Sequence, residues 1–293
     1  MRKGILMKIH IKKRALNRSY GGDIPIILFM ALAGLFMSIP IIYAVSSSLK
    51  PPDEFWVFPP RFFVKNPTSK NFSDLVQIMS STWVPFSRYI FNTVFITIAG
   101  TLGHVIVASL CAFAFAKYKF PGSKAMFTAV ELTLMFNTTV TAIPNFIIMS
   151  KINFINTYWA LIIPAWGSSL GLYLLKQFME QMIPDSLIEA ATIDGANKLV
   201  IYRKLVMPIV KPAWLTLIIF SFQGLWSIGS TTYIQNENMK TFNYALSQIL
   251  AGGIARAGAV AAASVVMMIV PVVVFVASQN KIVETMATSG MKD

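Results

Sequence analysis

Six apolar runs, each long enough to cross a bilayer, divide this chain of 293 residues and constrain its fold more than any motif. They cover residues 24–45, 89–116, 125–149, 157–175, 213–233 and 257–278. A helix needs ~20 residues to cross the hydrocarbon layer. Inside that layer every backbone N–H and C=O must be satisfied within the protein, which favours helices for runs of this kind. The expected fold is therefore all-α, a polytopic membrane protein of six transmembrane helices. Composition agrees, with 13% charged residues where a soluble domain carries about a quarter. Pro40, Pro144, Pro164 and Pro271 fall in or near the runs. They are tolerable there because neighbouring helices and water can satisfy the freed carbonyls.

The net charge of +13 is spread through the loops between runs, so it marks topology and not a nucleic-acid surface. With the N-terminus inside, the cytoplasmic segments are 1–23, 117–124, 176–212 and 279–293, and they hold 17 of the 25 Lys and Arg residues. That bias orients both termini to the cytoplasm. Residues 1–23 form a basic tail suited to anionic lipid. The run after it exceeds the apolar core of a cleavable signal peptide, so it reads as an uncleaved span. Residues 46–88 mix prolines with Phe55, Trp56, Phe58, Phe62 and Phe63, the composition of an external segment at the membrane surface. One cysteine, Cys111, forbids an internal disulfide, and two histidines leave no metal cluster. A G-x-x-x-x-G-K-[ST] phosphate loop is absent, so ATP is not hydrolysed by that route.

The polar stretch 183–212 lies between two of the runs. Ser186 and Glu189 have capping-box spacing, and Pro184 also suits a first helical position. Ala190 and Ala191 leave a flank without bulk, and Gly195 can end the helix in the left-handed conformation. Such a helix fits deep in a partner's groove. Glu189-Ala190-Ala191, with Gly195 four positions beyond Ala191 and Pro208 thirteen beyond Gly195, resembles the EAA loop. That loop marks permease subunits of type I, binding-protein-dependent ABC importers. Leu205 and Met207 replace the family's usual Ile and Leu, and Asp194-Gly195-Ala196 resembles the carbohydrate, maltose-transporter branch.

The resemblance implies a transmembrane domain at 24–278 carrying a coupling-helix loop at 179–212, with a C-terminal tail at 279–293. It assigns Glu189, Ala190, Ala191, Asp194, Gly195 and Pro208 to ATPase coupling. It implies a second permease subunit as heterodimer partner, an ATPase dimer holding the ATP and Mg, an external binding protein and an inner-membrane location. The chain itself would hold no cofactor and catalyse nothing. Residues 140–144 and 156–160 resemble a subgroup for oligosaccharides from polysaccharides, acidic ones such as alginate among them.

Substrate-path candidates come from polar and aromatic residues within the runs. Glu131 is an ionisable group in an apolar run, which is costly and so a functional hypothesis; its alternative is an interfacial or hydrogen-bonded role. Glu131, Thr138 and Asn145 share helical spacing, and Asn137 with Thr141 makes a second stripe. Trp166 and Tyr173, seven residues apart, share a face of the fourth run, where they could meet a sugar or pack against helices. Gly167 and Gly171 form a G-x-x-x-G. His104 reads as packed. The competing class is a stand-alone ion-coupled transporter using Glu131, which one intramembrane carboxylate fits poorly.

Overall fold

A computed structural model describes residues 20–80, 84–229, 232–253 and 256–289, and among them the regular structure is helical throughout. The basic tail expected at 1–23 lies outside these residues except for 20–23, which open the first helix.

That helix, α1 (Tyr20–Ser48), carries Pro25 and Pro40 inside it. Its side chains, Phe29, Phe36 and Met37 among them, stay exposed on the isolated chain, an apolar surface for lipid or a partner helix. Beyond it, prolines prevent a continuous helix, and side chains satisfy the backbone instead. Ser46 Oγ donates to Phe62 O (2.9 Å) and accepts from Val64 N (3.0 Å), while Lys50 Nζ donates to Arg61 O (2.6 Å). The buried Asn71 side-chain amide donates to the carbonyls of Ser48 and Lys50. Glu54, in the short α2 (Pro52–Phe55), accepts from the Lys65 and Asn66 N–H groups. The first of these bonds holds its carboxyl below the ordinary value of 4.5. The expected surface segment is thus a hydrogen-bonded clasp, ending in an amphipathic helix, α3 (Lys70–Ser80), that buries Leu75 and Met79.

The central element is α4 (Phe86–Lys117), whose most extensive packing is on three helices introduced below. Small residues let them approach. A Cβ added at Gly100 would lie 2.6 Å from Leu225, and one at Gly103 2.0 Å from Trp166. His104 is buried, its Nδ1 hydrogen-bonded to Ser221 Oγ, and a Cβ at Gly171 would lie 2.3 Å from its Nε2. The packed reading of His104 therefore agrees with the structure. Of the two glycines of the G-x-x-x-G, only Gly171 makes a close approach.

The third expected span is two helices, α5 (Ser123–Thr133) and α6 (Thr138–Lys151). Asn137 causes the break, because its side chain accepts from Thr139 N at 2.9 Å and so caps the start of α6. Glu131 and Asn145 consequently sit on separate helices, not on one stripe. The fourth span is likewise α7 (Trp159–Trp166) and α8 (Ser169–Met182), parted at Gly167 and Ser168 just after Pro164. The next helices are α9 (Asp185–Ile193), α10 (Lys198–Val200), a π-helical stretch (Ile201–Val206), α11 (Met207–Ile209) and α12 (Lys211–Trp226). The expected fifth span therefore ends early, at Trp226, where Asn243 Nδ2 and Thr241 Oγ1 take the carbonyls of Ser227 and Ile228. Then come α13 (Phe242–Ala251) and α14 (Ala257–Ser289); the latter continues through most of the expected tail at 279–293.

Helices α7, α8 and α12 are the neighbours of α4, and α14 joins α1, α3 and α12. Among the described residues, three helices are long and apolar enough to cross a membrane alone: Ile24–Ser48, Phe86–Lys117 and Ala257–Gln279. Lys198–Ile209 and Lys211–Trp226, bent by 81°, make a fourth if counted together.

Candidate functional site

The stretch 183–212 hangs from the end of α4 that carries Lys117. Ile183 is fully buried and Pro184 follows in extended conformation, so the chain leaves α8 and restarts as α9. The N-cap of α9 is Pro184, with no side-chain bond. The Ser186–Glu189 capping box is therefore not formed: with the cap at Pro184, Ser186 lies two positions past it, already inside the helix. Asp185 takes the first helical position, where a negative charge meets the positive end of the helix dipole.

Helix α9 ends in a Schellman motif. Gly195, at φ +79°, lets its own N–H reach Thr192 O (3.0 Å) and the Ala196 N–H reach Ala191 O (3.0 Å). Ala191 and Ala196 bring the motif's apolar contact to the core, with Ile188 beside them. Asn197 then caps the next helix by accepting from Val200 N at 2.9 Å.

The two alanines of the motif accordingly face different ways. Ala191 packs inward on the cluster of Phe113, Met179, Ile183 and Ile201, whereas Ala190 and Glu189 are exposed. Exposed apolar residues surround Ala190: Leu187 before it and Ile193 after it, the latter 86% exposed. Leu199, 70% exposed, extends that surface onto the second leg. Apolar residues left uncovered together on a polar loop form a patch of the kind that interaction sites present. Asp194, beside Gly195, is exposed too, and so is Pro208. Pro208 and Pro212 bracket the 81° bend at Val210, where Trp214 Nε1 donates to Met207 O (3.0 Å). Proline removes backbone donors there, so a bend costs little.

Both legs of the loop are fastened to the last turns of α4. Lys117 Nζ donates to Ile183 O (2.5 Å) and to Asp185 Oδ1 (2.8 Å). On the other leg, Tyr202 OH bonds Ser109 Oγ (2.7 Å) while the Tyr202 and Phe113 rings lie 5.7 Å apart. Lys198 Nζ rests over the Tyr118 ring at 4.7 Å. The Lys117 hydrogen bond is the main reason the Asp185 carboxyl lies below its usual range. Sequence reading missed Lys117, Asn197 and Tyr202. Only Asn197, three residues before Val200, left a local signal.

The four path candidates are not brought together. Trp166 Nε1 donates to Ala99 O (3.2 Å) and its ring lies on Gly103, so packing against α4 occupies it. Tyr173 stacks on Phe127 with centroids 6.1 Å apart. Glu131 and Asn137 are exposed near the α5–α6 break.

Comparison with known proteins agrees with this architecture. Residues 104–287 match the family described as binding-protein-dependent transport system inner membrane component. A probable ABC transporter permease protein of Pyrococcus horikoshii is 28% identical over 255 residues, 84% of this chain and 90% of that protein. The polygalacturonan/rhamnogalacturonan transport system permease protein YtcP of Bacillus subtilis is 29% identical over 219 residues, 74% of each chain. In fold, a chain of a bacterial ABC transporter involved in the import of the acidic polysaccharide alginate superposes with a TM-score of 0.75 at 22% identity, covering 91% of this chain and 99% of that one. A helical polytopic membrane protein with a solvent-exposed loop helix is thus the class that fold and site define. The chain belongs to the family of inner-membrane permease components of binding-protein-dependent ABC importers, and the stand-alone carrier built on Glu131 gives way to that reading.

Proposed function

We propose that this chain is one of two permease halves of an ATP-driven importer for an oligosaccharide, an acidic one by preference. In this reading the loop 183–212 and both termini face the cytoplasm, and α9 docks in a groove of a separate ATPase that holds the ATP and Mg. A second, similar permease completes the pathway as a heterodimer, an external binding protein delivers the sugar, and this chain has no catalysis of its own. The observation that carries the proposal is the exposed apolar surface around Ala190 on a helix whose other face and both flanks are fixed to α4. The sugar class rests on the resemblance of residues 140–144 and 156–160 and on the polygalacturonan and rhamnogalacturonan in the name of the Bacillus relative. Along the pathway, Glu131 and Asn137 have exposed side chains that could meet sugar hydroxyls, more so than Trp166 and Tyr173, whose rings are engaged in packing.

The test is the assembled transporter in proteoliposomes with a panel of neutral and acidic oligosaccharides. Uptake should require the binding protein and stop when the ATPase is inactivated. Uptake by this chain alone would overturn the proposal.

A further inference from the structure

A cavity of about 500 Å³ opens beside the loop, between the end of α4, the start of α5 and the last turns of α8. The transport reading does not use it. Four lysines line it, Lys117, Lys119, Lys124 and Lys176, against two acids, Glu180 and Asp185. Lys117 is paired with Asp185 and Lys176 with Glu180 at 2.9 Å. Lys119 and Lys124 have no ion-pair partner among the described residues, so the cavity keeps an excess of two positive charges. The hydroxyl residues Ser123 and Thr128 line it as well, Ser123 in the first turn of α5, where backbone N–H groups favour an anion.

Aromatic rings share the lining with this charge: Phe115 and Phe127 lie 5.8 Å apart, and Lys176 Nζ sits 4.0 Å over the Phe127 ring. The cavity begins at Lys117, where α4, a helix long and apolar enough to cross a membrane, ends. A soluble anion needs the lysines but not the rings. A ligand with a phosphate head and an apolar body needs both.

We propose that this cavity binds a phosphate group, and that its aromatic lining and position at the end of α4 assign that phosphate to the headgroup of an anionic phospholipid. Basic pockets between helices at the membrane boundary suit such headgroups. Lys119 and Lys124 supply the free charge, and Phe115 and Phe127 form the apolar side. Asp185 shares Lys117 with the site, so an occupant would compete for the ammonium that tethers α9.

The test uses the assembled transporter purified with an equal mixture of phosphatidylglycerol and phosphatidylcholine, with retained lipid counted by native mass spectrometry. The Lys119→Gln/Lys124→Gln variant should retain about 30-fold less phosphatidylglycerol, the attraction typical of two lysines at an anionic surface, with phosphatidylcholine unchanged. Lys119→Gln alone should give an intermediate loss, which keeps the test open if the double variant assembles poorly. Lys151→Gln, at the far end of α6, should change nothing. Equal phosphatidylglycerol in wild type and both cavity variants would overturn the site. Displacement of the lipid by millimolar inorganic phosphate would overturn the lipid assignment in favour of free phosphate. Lipid retention is read without transport, so it can fail while the proposed function stands, and the reverse.

Discussion

Lys117 and Asp185, 68 residues apart in the chain, form a 2.8 Å ion pair that joins the last turn of α4 to the first turn of α9. The ammonium is nearly buried, at 4% side-chain exposure, whereas the carboxylate is 79% exposed. Their losses should therefore differ. Lys117→Met leaves the Ile183 carbonyl without its donor, and an unsatisfied buried acceptor costs ~1–3 kcal/mol. Asp185→Asn removes a solvent-screened partner and should shift thermal unfolding of the complex far less. Equal melting shifts for the two variants would show that the ion pair, and not the carbonyl bond, holds the junction.

Ala190 and Ala191 should separate docking from folding. Ala190→Arg adds bulk to an exposed surface, so the permease should melt normally while substrate-stimulated ATPase activity falls more than tenfold. Ala191→Leu overpacks the cluster beneath α9 and should destabilise by ~1–3 kcal/mol. A stable chain with full coupling in both variants would remove the loop from the docking role.

Gly195 gives a sharper test of cause. A Cβ there meets nothing within 4 Å, but the φ of +79° is unfavourable for L side chains. Gly195→Ala should cost roughly 1–2 kcal/mol through backbone strain alone, and Gly195→Asn should recover part of it because Asn tolerates this conformation. If Asn is as damaging as Ala in melting experiments, bulk matters more than conformation.

Acid should loosen the clasp after α1. The Glu54 carboxyl titrates below its ordinary 4.5, chiefly because the Lys65 N–H binds its charged form. A depressed carboxylate contributes stability that is present in full above 4.5 and is lost as pH falls through the lower folded value. Glu54→Gln should thus lower the melting temperature at neutral pH and flatten its decline on acidification. A decline as steep as that of wild type would assign the acid sensitivity to other groups.

Trp166→Ala should act on assembly before it acts on transport. The ring fills the space over Gly103 and its N–H satisfies Ala99 O, so truncation should cost on the order of 3 kcal/mol. Glu131→Gln should keep the complex intact and lower uptake if the pathway runs by the α5–α6 break. Normal melting with lost uptake in Trp166→Ala would return that residue to the pathway.

Much of the fold was legible because apolar runs and basic loops are properties of composition, and α1, α4 and α14 follow them closely. The breaks in the third and fourth spans were not. Each depends on which competing hydrogen bond a short polar residue takes, and Asn137 chose the Thr139 N–H over a helical neighbour. At the loop, Gly195 could be read as a helix end, since few other residues accept its conformation. The capping box failed because Pro184 already ends the preceding extended turn and sets the helix start one residue before Ser186. Lys117 was invisible because its two acceptors are distant in sequence and nearby only through the packing of α4 on α8.

The crowding at the middle of α4 has a mechanical consequence. Gly100, Gly103 and His104 are pressed by Leu225, Trp166 and Gly171, while the helix reaches about 48 Å from Phe86 to Lys117 at 1.5 Å per residue. A rod clamped at its midpoint behaves as a lever with a fulcrum. A push on α9 that moves Lys117 one way should swing Phe86 the other way by a similar distance. Paired spin labels near the two ends of α4 should then report opposite displacements when the ATPase closes on nucleotide.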